Sequence, residues 1–161
     1  MSDEHENLVL LRRFEPRDSD QVRTLHECSI TAIPEAHGED YWADLNDVMG
    51  HYIDPGGEFL VGVAAESVVA MGGFQPLSAS EVEIMRMRVH PEWQGRGLGK
   101  TLLRALEQAA REGGYGQVYL ETTVVQLAAL AMYWHHGYLE VGRTHKGGFE
   151  VVQFRKALAG D

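Results

Sequence analysis

The sequence predicts a single α/β domain, and three observations carry that expectation. Apolar runs with strand-like alternation are interleaved with stretches whose apolar residues recur every three to four positions. Glycine and proline clusters punctuate the boundaries, giving the order β-α-α-β-β-β-α-β-α-β-β, which places a βαβ-type core in a mixed sheet of six to seven strands with about four helices. The length, 161 residues, suits one domain over 1–161 with one buried core, residues 1–7 forming a flexible polar tail. Apolar content of 44% and charged content of 24% are ordinary for a soluble globular chain.

The elements follow in order. "NLVLLRRF" is strand-like and ends at Glu15-Pro16. Asp18 or Ser19 can cap a helix through Val22, Leu25, Cys28 and Ile30, which Pro34 stops. "GEDYWADLNDVMGHYI" reads as a second, weaker amphipathic helix, closed by Asp54-Pro55-Gly56-Gly57. "EFLVGVAAE" and "SVVAMGGFQP" form a hairpin, and "SEVEIMRMRV" is a longer strand ending at His90-Pro91. A glycine-rich turn then enters a helix striped by Leu98, Leu102, Leu103, Leu106, Ala109 and Ala110, which Gly113-Gly114 terminates. "GQVYLETT" is a strand, "QLAALAMYWHH" a helix ending at Gly137, and "YLEVGR" and "FEVVQFRKAL" are the final strands.

Charge narrows the function classes. The formal net charge of −10 opposes general nucleic-acid binding, because phosphate backbones would be repelled. No apolar run approaches the roughly 18 residues that span a bilayer. Cys28, the one cysteine, cannot form an intrachain disulfide; it suits a reducing cytoplasm and reads as a small core residue. The charge is also uneven. From Glu27 to Glu83 there are eleven acids and no Lys or Arg, whereas Arg86, Arg88, Arg96, Lys100 and Arg104 face only Glu92. The basic island surrounds the glycine-rich turn, which favours an anionic ligand there.

That turn, "WQGRGLGKTLLRAL", nearly matches three phosphate motifs. A Walker loop needs four residues between Gly and Gly-Lys-Ser/Thr, but Gly95 leaves three before Gly99, and an NTP-binding reading is correspondingly weak. A dinucleotide fingerprint fails because Lys100 stands where its third glycine belongs. The pattern Q/R-x-x-G-x-G/A is met by Gln94, Gly97 and Gly99. Glycines there let a pyrophosphate reach the backbone, and the first helical N–H groups point at it. The competing reading is a helix entry that uses glycine only for tight packing.

In context the chain resembles the GNAT superfamily of N-acetyltransferases. The signature follows a strand and V-x-P in "MRVHPEWQGRGLGKTLL", then come the strand "VYLET" and a helix patterned A-x-x-x-Y-x-x-x-G-F/Y, filled by Ala129, Tyr133, Gly137 and Tyr138. The resemblance implies a mostly antiparallel twisted sheet with a splayed central strand pair, and acetyl-CoA as co-substrate. It implies that Gln94, Gly95, Arg96, Gly97, Gly99 and Lys100 seat the pyrophosphate, and that the pantetheine arm pairs with the backbone at Met87 and Val89. Gln126 stands where the family often has a cofactor-contacting Asn. The implied catalytic residues are Tyr133, as acid to the departing thiolate, and Glu83, as base directly or through water.

Other readings stay open beside these. Tyr133 could be a core tyrosine, and Glu83 a strand-edge carboxylate or the partner of Arg86 or Arg88. His90 could replace Glu83 as base or simply stabilise its turn. The remaining histidines, His135, His136 and His145 among them, form no ligand array, so no metal is expected. The acceptor is expected to be a small-molecule or peptide amine, with a cationic one attracted by some of Glu35, Glu39, Asp40 and Asp44; an acidic, solvated surface is the alternative. Tyr41 and Trp42 either line the acceptor pocket or staple their helix to the core. A non-catalytic acyl-CoA-binding module on the same scaffold is the rival function, and oligomeric state, homodimer included, is undetermined. No membrane or nucleic-acid partner is expected.

Overall fold

The computed structural model describes residues 8–29 and 39–158. The strands are β1 (Leu10–Arg13), β2 (Glu58–Ala64), β3 (Ser67–Pro76), β4 (Glu81–Val89), β5 (Gln117–Thr123), β6 (Leu139–Lys146) and β7 (Phe149–Ala157). The helices are α1 (Ser19–Ser29), α2 (Leu98–Glu112) and α3 (Leu127–His135). All seven strands join one sheet in the order β1-β2-β3-β4-β5-β7-β6, antiparallel throughout except for the β4–β5 pair.

Two apolar clusters cover its surfaces. Leu102, Leu103, Leu106 and Ala110 of α2 pack with Phe74, Ile84, Leu120, Val152 and Phe154. The leucine stripe read from sequence is therefore the buried face of α2. Val22 and Leu25 of α1 join Phe14, Leu45, Tyr52, Phe59 and Met71 in the second cluster. Cys28 packs against that cluster, and its thiol is pushed up by burial, as a core residue's would be. Asp18 does not cap α1 as expected: it ends the 3-10 turn Pro16–Asp18, where its carboxylate accepts from the Glu15 N–H at 2.8 Å and is clamped by both Arg12 amino groups at 2.8 Å.

The second expected helix differs. In its place stand a 3-10 stretch over Glu39–Asn46, kinked at Trp42 (φ −124°, ψ 28°), and one π-turn over Met49–Ile53. Asp40 and Asp44 would lie one above the other in a regular helix, with no Lys or Arg in the segment to relieve them. The Asp47 carboxylate instead accepts from the Gly50 N–H, a local alternative to the helical ladder. Ile30, Pro34 and Glu35 lie outside the described residues, as does the 1–7 tail. No described helix is long and apolar enough to cross a membrane.

Candidate functional site

The site opens where the one parallel pair comes apart. β4 and β5 pair from Glu81↔Gln117 to Ile84↔Leu120 and no further, although β4 runs on to Val89 and β5 to Thr123. Against β3, β4 carries one extra residue between Met85 and Arg88, and Arg86 sits at φ +60°. Such a bulge re-aims the residues beside it. The Arg86 side chain is anchored by Asp44, with Nε–Oδ2 at 3.0 Å and a second nitrogen to Oδ1 at 2.7 Å, and Asp44 also accepts from the Tyr52 hydroxyl at 2.5 Å. Burial would raise the Asp44 pKa, but the Arg86 hydrogen bonds and charge hold it below the usual range.

Beyond β4 the chain makes the glycine-rich turn. The His90 ring accepts from the Glu92 N–H at 3.1 Å, a turn-stabilising role, and the Gln94 side-chain amide donates to the Val89 carbonyl at 3.2 Å. Gly95 (φ +78°) and Gly97 (φ +81°) adopt left-handed conformations, and Gly97 is the residue from which α2 starts. A Cβ at either would meet nothing within 4 Å, so tight packing does not explain these glycines. They leave an open backbone face. The helical bonds of α2 begin with Thr101 N–H to the Gly97 carbonyl at 3.1 Å, so the N–H groups of Leu98, Gly99 and Lys100 have no helical partner.

Two cavities meet behind this turn. One, of about 570 Å³, is bounded by the glycine turn, the end of β4 and the start of α3. The other, of about 470 Å³, lies between β4, β5 and the tip of the β6–β7 hairpin. Met87, Arg88, Gln126, Ala129 and Tyr133 line both. The first cavity also takes in Val89, Gln94, Gly95, Gly97, Gly99 and Lys100. Arg96 is not among its walls; its guanidinium lies 4.4 Å over the Trp93 ring.

Tyr133 sits at the junction. Its ring is 4% exposed, caged edge-on by Tyr138 at 5.6 Å and tilted against Phe154 at 5.9 Å. Its hydroxyl makes no hydrogen bond among the described residues, and burial pushes its pKa up to about 12, with Arg88 opposing. Tyr138 below it donates to Glu107 at 2.7 Å, and Lys156 reaches the same carboxylate at 3.0 and 3.1 Å. Gln126 stands at the start of α3 without capping it; its side-chain carbonyl oxygen instead accepts from Thr122 Oγ1 at 2.7 Å and Thr123 Oγ1 at 3.2 Å.

Two carboxylates in the second cavity are pushed apart in pKa. Glu83 is raised, first by burial and then by Glu121. It makes no ion pair among the described residues, and Arg86 is committed to Asp44. Burial acts on Glu121 too, but hydrogen bonds from Lys146 (2.6 Å) and Tyr119 (2.5 Å) hold it low. Glu121, Lys146 and Glu107 were not anticipated from sequence, because the partners of each lie far along the chain; Arg88, read there as part of the basic island, lines both cavities.

Of the acids expected to attract a cationic acceptor, Asp44 alone has its side chain among those described. Asp44 faces inward to Arg86, and the side chains of Glu35, Glu39, Asp40 and Tyr41 lie outside those described. Trp42 packs against the second cluster and His26, with ring centroids 5.7 Å apart, which is the staple role. No group of three or more His, Cys, Asp or Glu that could hold a metal occurs among the described residues.

The sequence profile of the "Acetyltransferase (GNAT) family" matches residues 19–138. Human N-acetyltransferase 8 is 32% identical over 107 residues, covering 63% of this chain and 47% of that protein. The uncharacterized N-acetyltransferase YjgM of Escherichia coli K12 is 39% identical over 99 residues, 59% of each. The chain spans about half the length of the curated relatives it matches. Among solved structures, an acetyltransferase from Streptococcus agalactiae superposes with TM-score 0.83 at 16% identity, over 93% of this chain and 98% of that one. The PaiA N-acetyltransferase of Thermoplasma acidophilum, in complex with coenzyme A, does so with TM-score 0.73 at 15% identity, over 91% and 98%. These two likenesses show the fold.

Proposed function

The chain belongs to the GNAT family of acetyltransferases, and from that premise we propose that it transfers acetyl from acetyl-CoA to a primary amine by direct attack. The observation that carries this reading is the junction of two cavities at a buried phenol with no hydrogen bond of its own among the described residues. Two half-sites meeting at a proton donor suit a two-substrate transfer.

The larger cavity fits a nucleotide-bearing thioester. The open backbone at Gly95 and Gly97 and the leading N–H groups of α2 suit a pyrophosphate, with Lys100 adding positive charge. The backbone at Met87 and Val89 borders the slot expected to take a pantetheine arm. When bound, acetyl-CoA supplies the activated acyl group. Arg96 contributes its backbone N–H, since its side chain rests on Trp93. Gln126, with its carbonyl oxygen turned to Thr122 and Thr123, retains a side-chain amide as donor.

The chain's own groups then divide the proton work. Glu83, raised in pKa, takes a proton from the ammonium so that its nitrogen can attack. The backbone N–H near Val89 is assigned to the acetyl oxygen as charge builds on it. The C–N bond forms, the C–S bond breaks, Tyr133 gives its proton to the departing sulfur, and the second proton of the attacking nitrogen passes to the Tyr133 phenolate, which restores the phenol. With a pKa of about 12, Tyr133 stays protonated at neutral pH until it is needed. The lone Cys28 suits a reducing cytoplasm.

Thiol release from acetyl-CoA across a broad amine panel tests this. Amine-dependent release is expected. Binding of acetyl-CoA with no release for any amine would leave a non-catalytic acyl-CoA module.

A further inference from the structure

The smaller cavity is not the acidic receptacle that a net charge of −10 suggests. Its carboxylates are Glu83 and Glu121, and its walls also carry Arg86, Arg88 and Lys146. Arg86 is matched by Asp44 from outside the cavity wall. Glu121, on β5, is matched by Lys146 at the end of β6, two strands further along the sheet on the same side of the β4–β5 split.

That match is built by the fold. Gly147 (φ +57°) and Gly148 (φ +82°) form the two-residue turn that closes β6 onto β7 and pairs Lys146 with Phe149. Such a turn needs left-handed backbone at both central positions. It carries the Lys146 ammonium across to Glu121, whose second oxygen is held by Tyr119. Glu83 is left as the cavity carboxylate without an ion pair among the described residues. Met85, Met87, Phe149 and Val151 supply apolar wall around it.

We infer that Lys146 is a specificity-determining residue and that the acceptor is a single-ammonium amine with an apolar body, not a diamine or polycation. The inference rests on the acetyl-transfer reading. One ammonium finds Glu83. A second finds Glu121 already neutralised and meets the Lys146 charge, an unfavourable like-charge contact. The apolar walls take the body of the acceptor, which a second charged end would have to desolvate.

Hexylamine and 1,6-diaminohexane test this, because they differ in the second ammonium alone. In thiol-release assays the wild type is expected to favour hexylamine in kcat/KM by about tenfold, equivalent to about 1.4 kcal/mol. Lys146→Met should shrink that ratio about tenfold by unmasking Glu121, whereas Lys146→Arg keeps it. The Lys146 side chain is 63% exposed, so its replacement leaves the core intact. A wild type favouring the diamine, or a ratio unmoved by Lys146→Met, overturns the inference. Thermal shifts with and without CoA give a readout independent of turnover. Hexylamine should raise the Tm of the wild type, and 1,6-diaminohexane only that of Lys146→Met. Absence of thiol release with that Tm pattern present defeats the transfer reading alone. Equal shifts for both amines in both proteins defeat the assignment of Lys146.

Discussion

On one side of Tyr133 the groove takes in two left-handed glycines, the first turn of α2 and the end of β4, facing apolar residues of α3 such as Leu127 and Met132. On the other side it is walled by side chains, two of whose charges are matched in pairs, Arg86 with Asp44 and Lys146 with Glu121, while Glu83 makes no ion pair among the described residues. The first half offers N–H groups that every residue possesses, so it needs only the right φ angles and open space. The second depends on which side chains face one another across strands distant in sequence. A donor seat of that kind suits one invariant ligand, whereas paired side chains can be retuned for different acceptors by single substitutions.

The contrast predicts effects of different kinds on the two sides. Gly97→Val acts on the backbone half: left-handed backbone strains a β-branched residue by about 1–2 kcal/mol, and its methyls enter the open face. Calorimetric titration should detect no acetyl-CoA binding, while urea unfolding shows only that modest loss. Unchanged affinity would move the donor seat elsewhere and erase the distinction.

Glu83→Gln acts on the side-chain half and should lower kcat/KM about 10²-fold with acetyl-CoA affinity preserved. Because burial raises Glu83, the wild-type rate should fall with decreasing pH along a limb above the ordinary glutamate value of 4.5. Glu83→Gln should lack that limb. Its survival in the variant would assign the base to another group.

Beneath the junction, Glu107→Ala leaves Lys156 and the Tyr138 hydroxyl without their shared carboxylate. A stability loss of about 2–4 kcal/mol is expected in urea unfolding. A loss under about 1 kcal/mol would mean the cluster is solvated and does not support Tyr133. The smallest effect belongs to Asp44. Its folded pKa is lowered, so its contribution to stability is present above the unfolded aspartate range and is lost as pH falls through the folded value. Asp44→Asn should therefore cost stability at pH 7 and less at pH 3. A cost independent of pH would show that charge is not what Asp44 contributes.

The same division explains what could be read before the structure was in hand. The α2 stripe, the β2–β3 hairpin and the glycine turn are local patterns, legible because periodicity and φ requirements leave marks on neighbouring residues. Asp44–Arg86, Glu121–Lys146 and Glu107–Lys156 join residues 42, 25 and 49 positions apart, and no local pattern records such pairings. The acidic run through Asp44 was legible as charge but not as direction, and Asp44 turns inward. The segment up to Ile53 misled for a related reason. Its apolar spacing suited a helix, while Asp47 and Gly50 favoured a local turn.

The most direct test of a groove divided at Tyr133 pairs two measurements on one variant, Tyr133→Phe. Removing a single hydroxyl that has no hydrogen bond among the described residues should leave the cage of Tyr138 and Phe154 intact. The expected result is a kcat lower by roughly 10²–10⁴-fold in the thiol-release assay, with acetyl-CoA affinity by calorimetry unchanged within about twofold. Near-wild-type turnover, or loss of acetyl-CoA binding together with turnover, would contradict it.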